Sequence, residues 1–452
     1  MAAGPVWLRD RLAPWGDAPA LIWKDQTLGY AALLRHVDHW SAALRERGVM
    51  AGQVVAIEAN FSPNSCALLL ALIELGAICV PITPMMAPHR DKFTTIAEAQ
   101  WLISLGENDE TTITAYDRSV SNALTLSLIG RGHPGLVIFS SGSSGAHKAI
   151  LHDFVGLLAK FETPREQKVT MTFLLFDHIG GIDTMLGTMS SGGTLVTTAS
   201  RDADTVCRAI ATHRVHTLPT SPTFLNLMLI SGAWREHDMS SLRVIAYGTE
   251  PMSPLTLQQL SAAFPHVRLV QTFGMSELGV LRSKSRDSTS LWVKFTGDGY
   301  QVKVVDNVLW VKSPTAMLGY LNAPDLFDAE GWLNTQDAVE VDGEYVRILG
   351  RVTDLINVGG QKVYPSEVEA VLMEMPNVRD VAVAGEASPL TGQFVAARFN
   401  LRTPEPLPDF KRRMRTFCKG RLVNYQIPVR IEIVDHELSG VRFKKMRHGT
   451  PS

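Results

Sequence analysis

The chain is short of cysteine, of net charge and of long apolar runs, and each shortage excludes something. Its 452 residues include four cysteines, Cys66, Cys79, Cys207 and Cys418, with no C-x-x-C spacing. Neither a zinc site nor a disulfide framework is suggested, so a reducing compartment is expected. A formal net charge of −2 offers no global field to nucleic acid or an anionic membrane, and any partner must be recognised locally. No uninterrupted apolar stretch reaches membrane length, and the first ten residues lack the apolar core of a signal peptide. The expectation is a cytoplasmic protein with no nucleic-acid and no membrane partner. No repeat or low-complexity tract stands out. With 45% hydrophobic and 19% charged residues, a chain of this length can bury large cores and divide into two or three domains.

What is present is an alternation of short apolar strands and helical segments, which predicts parallel βαβ units and an α/β fold. Residues 54–57 read as a strand, 64–75 as a helix ending at Gly76, and 77–80 as a strand stopping before Pro81. The pattern recurs at 193–197, 202–213, 217–219 and 241–246. From about residue 291 it becomes strand-rich, with Gly and Asp/Asn turns, as in a small antiparallel β subdomain over 291–350. A compact α+β tail follows: helices over 365–375 and 408–422, and strands over 378–384, 394–400 and 429–434.

The densest chemical signal is Phe139-Ser-Ser-Gly-Ser-Ser-Gly-Ala-His-Lys148, directly behind the apolar strand 135–139. Glycines permit a tight turn whose N–H groups converge on an anion, hydroxyls add donors, and the lysine adds a point charge. Taken alone, the segment could equally be a solvated Gly/Ser loop. It is not a Walker A loop, because Ala149 follows Lys148 and the Gly-to-Lys spacing differs.

Three further segments follow in order: Gln271-Thr-Phe-Gly-Met-Ser-Glu-Leu-Gly279, Gly331-Trp-Leu-Asn-Thr-Gln-Asp337, and residues 349–369 beginning Leu-Gly-Arg-Val-Thr-Asp. With them the chain resembles the adenylate-forming superfamily of acyl-CoA synthetases, peptide-synthetase adenylation domains and luciferases, nearly end to end. It is nearest in motif to acyl- and aryl-CoA ligases. The resemblance implies a large domain of βαβ-layered sheets over 1–353 and a small mobile α+β domain over 354–452.

It also implies an enzyme that joins a small carboxylic acid to the α-phosphate of ATP with Mg²⁺, releases pyrophosphate, and passes the acyl group to a thiol. That thiol belongs to coenzyme A or to the phosphopantetheine of an acyl carrier protein. By resemblance, Ser140, Ser141, Gly142, Ser143, Ser144, Gly145 and Lys148 hold phosphates, while Ser276 and Glu277 serve the α-phosphate and the metal. Tyr247, Gly248, Thr249, Glu250 and Phe273 form the adenine side. Asp337 holds the ribose, with two acceptor oxygens for two hydroxyls, and Arg351 is a second nucleotide contact. Trp332 is read as packing.

The family's Gly-Lys-x-x-Arg is here Phe443-Lys-Lys-Met-Arg447, so Lys444 is the expected catalytic lysine and Lys445 a second candidate. His178 resembles the histidine at the mouth of the acyl pocket, with Gly180 and Gly181 suggesting close approach of backbone to ligand. Asp177 leaves open an amino-acid substrate, which ranks behind a non-amino acid. Thr353 takes the hinge position, and Gly359 and Gly360 are expected to line the thiol's passage after the small domain turns. His147, Ala149 and Gln336 depart from the family's Pro, Gly and Gly. Two rivals remain: an amide-forming ligase, and a non-catalytic nucleotide- or acyl-binding protein.

Overall fold

The computed structural model describes residues 7–141, 147–297, 299–440, 443 and 445–447. Two seven-stranded sheets carry most of the chain. In one, the strands Arg268–Gln271, Val244–Tyr247, Thr217–Thr220, Val169–Met171, Thr194–Val196 and Pro19–Trp23 run parallel and Gln26–Gly29 closes the edge antiparallel. In the other, Gly135–Ser141, Ile78–Ile82, Val54–Glu58 and Trp101–Leu105 are parallel, with antiparallel strands on both flanks. The predicted α/β class is the observed one.

Helix Pro63–Leu75 shows how local sequence builds the layers. Ser62 caps it and exchanges hydrogen bonds with Ser65, Pro63 opens it, and Gly76 ends it at φ +80. Residues 65–73 are all buried, because this helix packs with Tyr30–Glu46 and Ile179–Met189 in one core shared by both sheets.

Strand Ile78–Ile82 runs through Pro81, where the sequence suggested a stop. The neighbouring strand Gly135–Ser141 pairs only at Ile78 and Cys79, so no partner there needs the missing Pro81 N–H. The β-rich region is a six-stranded antiparallel sheet that begins at Ser283–Ser285, earlier than expected, since this short strand pairs with Trp292–Phe295. The tail forms a five-stranded sheet with its own core around Phe399, Phe410 and Met414. Its helix Leu407–Cys418 stops four residues short of the predicted end. All four cysteines are buried and free. No helix among the described residues is long and apolar enough to cross a membrane.

Candidate active site

The Ser/Gly loop joins two paired strands, with Ser140 opposite Lys148 and Ser141 opposite His147. Gly142, Ser143, Ser144 and Gly145 lie outside the described residues. Lys148 Nζ sits 4.8 Å from the Tyr320 ring centroid, and the Tyr320 hydroxyl donates to Glu277 Oε1 at 2.8 Å. The adjacent Ser276 is held through its carbonyl, which accepts from His152 Nε2 at 2.6 Å. Burial pulls His152 down to about 4, so the ring is neutral and acts as a fixed donor. Tyr320 and His152 carry no motif signal. They enter only because the short strand Gly319–Tyr320 pairs beside Leu151 and Ile150.

Asp337 and Arg351 face one another across the strands Leu333–Asp342 and Tyr345–Arg351. Arg351 Nε lies 3.2 Å from Asp337 Oδ1. Burial pushes Asp337 up to about 6, and the opposing pull of Arg351 does not cancel it. Gln336, where the family has glycine, adopts φ +59.

The expected adenine side divides. Gly248 and Thr249 line the main cavity, whereas Tyr247 and Phe273 are buried in core clusters and do not line it. Phe273 packs edge-on against Phe295 instead, which explains why an apolar ring suffices there. Thr249 stands at φ +75, a conformation costly for a β-branched residue, and its buried hydroxyl has no partner. Glu250 turns away from the cavity. Its Oε1 accepts from Thr223 N–H at 2.7 Å, and its Oε2 accepts from the Lys445 backbone N–H at 3.2 Å.

His178 caps helix Ile179–Met189, its Nδ1 accepting from Gly180 N–H at 3.0 Å, so Nε2 carries the proton of the neutral ring. The two glycines differ. Gly180 lines the cavity, but a Cβ on Gly181 would fall 1.9 Å from the Leu175 carbonyl oxygen, so Gly181 answers a backbone approach within the protein. Asp177 is buried, accepts from Thr83 Oγ1 at 2.9 Å, and does not line the cavity.

The tail separates the two lysine candidates. Lys445 is partly buried, with its Nζ 3.0 Å from Asp380. Burial opposes its charge, yet Asp380, Glu369 and Glu250 together hold its pKa above the ordinary value. Arg447 grips Glu369 with two hydrogen bonds, 3.0 and 2.8 Å. Phe443 enters the opposite side, 5.3 Å from Phe173 and 5.6 Å from Phe224 by ring centroids, with Arg201 5.1 Å above its face. Lys444 itself lies outside the described residues. Thr353 sits in the exposed turn Val352–Asp354. Gly359 and Gly360 form an exposed hairpin turn at φ +59 and +88, away from the cavity.

One cavity of about 680 Å³ touches Ser140, His178, Gly248, Ser276, Glu277 and Arg351, whereas Lys148, Asp337, Lys445 and Arg447 do not line it. Among the described residues no three His, Cys, Asp or Glu side chains converge as a metal cage. A single carboxylate such as Glu277 fits a magnesium ion that takes its remaining ligands from phosphates and water.

The family profile described as AMP-binding enzyme matches residues 8–321, and that of the AMP-binding enzyme C-terminal domain matches residues 367–445. The chain belongs to the AMP-binding enzyme family. It is an AMP-forming ligase of the adenylate-forming superfamily. It is similar to the indoleacetate–CoA ligase of Aromatoleum aromaticum, 25% identical over 95% of this chain and 93% of that protein. Its fold is similar to an anthranilate CoA ligase solved with anthranoyl-AMP, at TM-score 0.82 and 21% identity over 97% and 95% of the two chains. An amide bond synthetase from Marinactinospora thermotolerans shares the fold at TM-score 0.74 and 21% identity, over 97% of each chain.

Proposed function

We propose that this AMP-binding enzyme joins a carboxylate to the α-phosphorus of ATP, expelling pyrophosphate, and then transfers the acyl group from the acyl-AMP to the thiol of coenzyme A, releasing AMP and a proton. One observation carries the reading: a single continuous cavity connects the Glu277, Ser276 and Arg351 end with a compartment along the His178 helix. Two substrates can therefore meet in one space.

In this reading Lys148 and the loop at 140–145 offset the negative charge of the phosphates, and Glu277 with Ser276 holds the magnesium and the α-phosphate. Asp337 accepts from the ribose hydroxyls, and Arg351 orients it. Lys444 supplies the cation where the two anions meet, because Lys445 is already committed to Asp380. Asp177 is engaged with Thr83 and off the cavity wall, which supports a non-amino acid. The division at residue 353 and turning of the small domain about Thr353 belong to the same proposal, as does an acyl carrier protein as alternative acceptor.

The fold shared with an amide bond synthetase keeps an amine acceptor as a second reading. Acid-dependent pyrophosphate release across fatty, aryl and amino acids, followed by separate addition of coenzyme A and amines, tests both. The expected result is pyrophosphate with a non-amino acid and a thioester with coenzyme A. Amides formed without thioester would promote the second reading, and no acid-dependent pyrophosphate would refute adenylation.

A further inference from the structure

The cavity continues well past the nucleotide end. Val244 and Ala246 of strand Val244–Tyr247, and Gly248 just after it, line it at alternate positions, a span of ~13 Å. Gly180, Thr184, Gly187 and Thr188 of helix Ile179–Met189, and Ser191 just past its end, also line it. The compartment is thus an elongated slot, with the acid's reacting end placed near His178 by the proposed adenylation on which this inference rests.

Its far part is cationic, although the chain as a whole carries −2. Lys160, Arg165, Lys168, Arg268 and Arg282 all line it. Two of these are already spent: Lys160 pairs with Asp183 and donates to the Val280 carbonyl at 3.1 Å, and Lys168 lies 3.4 Å from Glu166. Arg165, Arg268 and Arg282 form no ion pair with any described carboxylate. Arg282 is aimed by a 3.0 Å bond from its Nη2 to the Lys160 carbonyl, and the Arg165 guanidinium lies 5.8 Å from the Phe161 ring centroid. Arg165, Arg268 and Arg282 are exposed, yet partial desolvation and the neighbouring Arg282 depress Arg165, and Asp183 only partly opposes them. Like charges on neighbouring guanidinium groups repel one another unless an anion joins them. The walls add hydroxyls, and those of Thr217 and Thr220 are buried without a partner. A plain alkyl chain would cover these donors and offer them nothing.

We propose that the far compartment receives a second anionic group of the acid, so that the substrate class is carboxylic acids bearing a further carboxylate on the order of 10 Å from the one activated. Arg165 and Arg282 hold that second carboxylate, and Arg268 adds to the field at the end of the slot.

The test is initial-rate pyrophosphate release with aliphatic diacids of eight to twelve carbons and 3-(4-carboxyphenyl)propanoate, each compared with its monomethyl ester. The expected result is a kcat/KM about tenfold to a hundredfold higher for at least one diacid than for its ester, the scale of hydrogen bonds to a charged group. The preference should weaken as salt rises. In the Arg165→Gln/Arg282→Gln variant the ratio should fall to near one, while the ester's own kcat/KM changes less than about twofold. Good turnover of monoacids and esters with no preference for any diacid in the wild type would overturn the proposal and leave adenylation intact. So would a double variant that keeps the diacid ratio but raises KM for coenzyme A, which would assign the cations to the thiol donor's phosphates. Absence of pyrophosphate with every acid would overturn both readings together.

Discussion

Asp337 is a carboxylate placed where its charge is costly. Because burial raises it to about 6, its stabilising contribution is present below the ordinary carboxylate pKa and is lost as pH rises through about 6. Nucleotide binding runs the other way, since the ionised form is the better acceptor for ribose hydroxyls. KM for ATP should therefore rise as pH falls through about 6, with KM for the acid little changed. Asp337→Asn should start from a high KM for ATP and show a flattened pH profile. A wild-type KM for ATP that is flat from pH 5 to 8 would count against the ribose role. The two lysines make a second residue-level contrast. Lys444→Ala should leave the melting temperature unchanged and slow acyl-AMP formation by on the order of 10²–10³. Lys445→Ala should destabilise the small lobe by about 3 kcal/mol, because Asp380 and Glu369 lose a partly buried partner. Thermal melts beside pyrophosphate exchange separate the two, and the reverse pattern would exchange the assignments.

At the scale of elements, the tail strap does what no isolated residue could. Phe443 adopts φ +51, where glycine is usual, and offsets that strain by filling the space between Phe173, Phe224 and Arg201. On its other side Lys445 and Arg447 are tied to Asp380 and Glu369. Phe443→Ala should cost about tenfold in acyl-AMP formation while sparing transfer from synthetic acyl-AMP, measured by single-turnover thioester formation. Equal losses in both steps would mean the ring is only packing. Strand and helix positions were largely legible, because period, caps and Gly/Pro punctuation are local signals. The run through Pro81 was not, since it depends on how far a neighbouring strand extends.

For the whole molecule, the decisive matter is how the small lobe meets the large one. In this arrangement Glu250 accepts from Lys445 N–H, and the Gly359–Gly360 turn stays outside the cavity. A Cβ on Gly360 meets nothing within 4 Å here, so Gly360→Leu should retain pyrophosphate release and lose thioester formation only when the lobe turns. Gly360→Asn, which tolerates positive φ, serves as the control for turn strain. Unchanged thioester formation in the leucine variant would remove this hairpin from the thiol's path.

The amino-acid order by itself determined the α/β layering, the motif series and a minority of the residues that meet at the cavity, among them Ser140, His178, Ser276, Glu277 and Arg351. Each of these rests on neighbours within a few positions, or on recognisable short patterns. Tertiary structure alone decided which of those residues face the cavity. It buried Phe273 and Tyr247, set Asp177 against Thr83, gave Gly181 to the Leu175 carbonyl and committed Lys445 to Asp380. It also brought Tyr320, His152 and the unpaired arginines to the site from distant parts of the chain. Burial and charge pairing depend on distances between residues far apart in sequence, and those distances exist only after the sheets have packed.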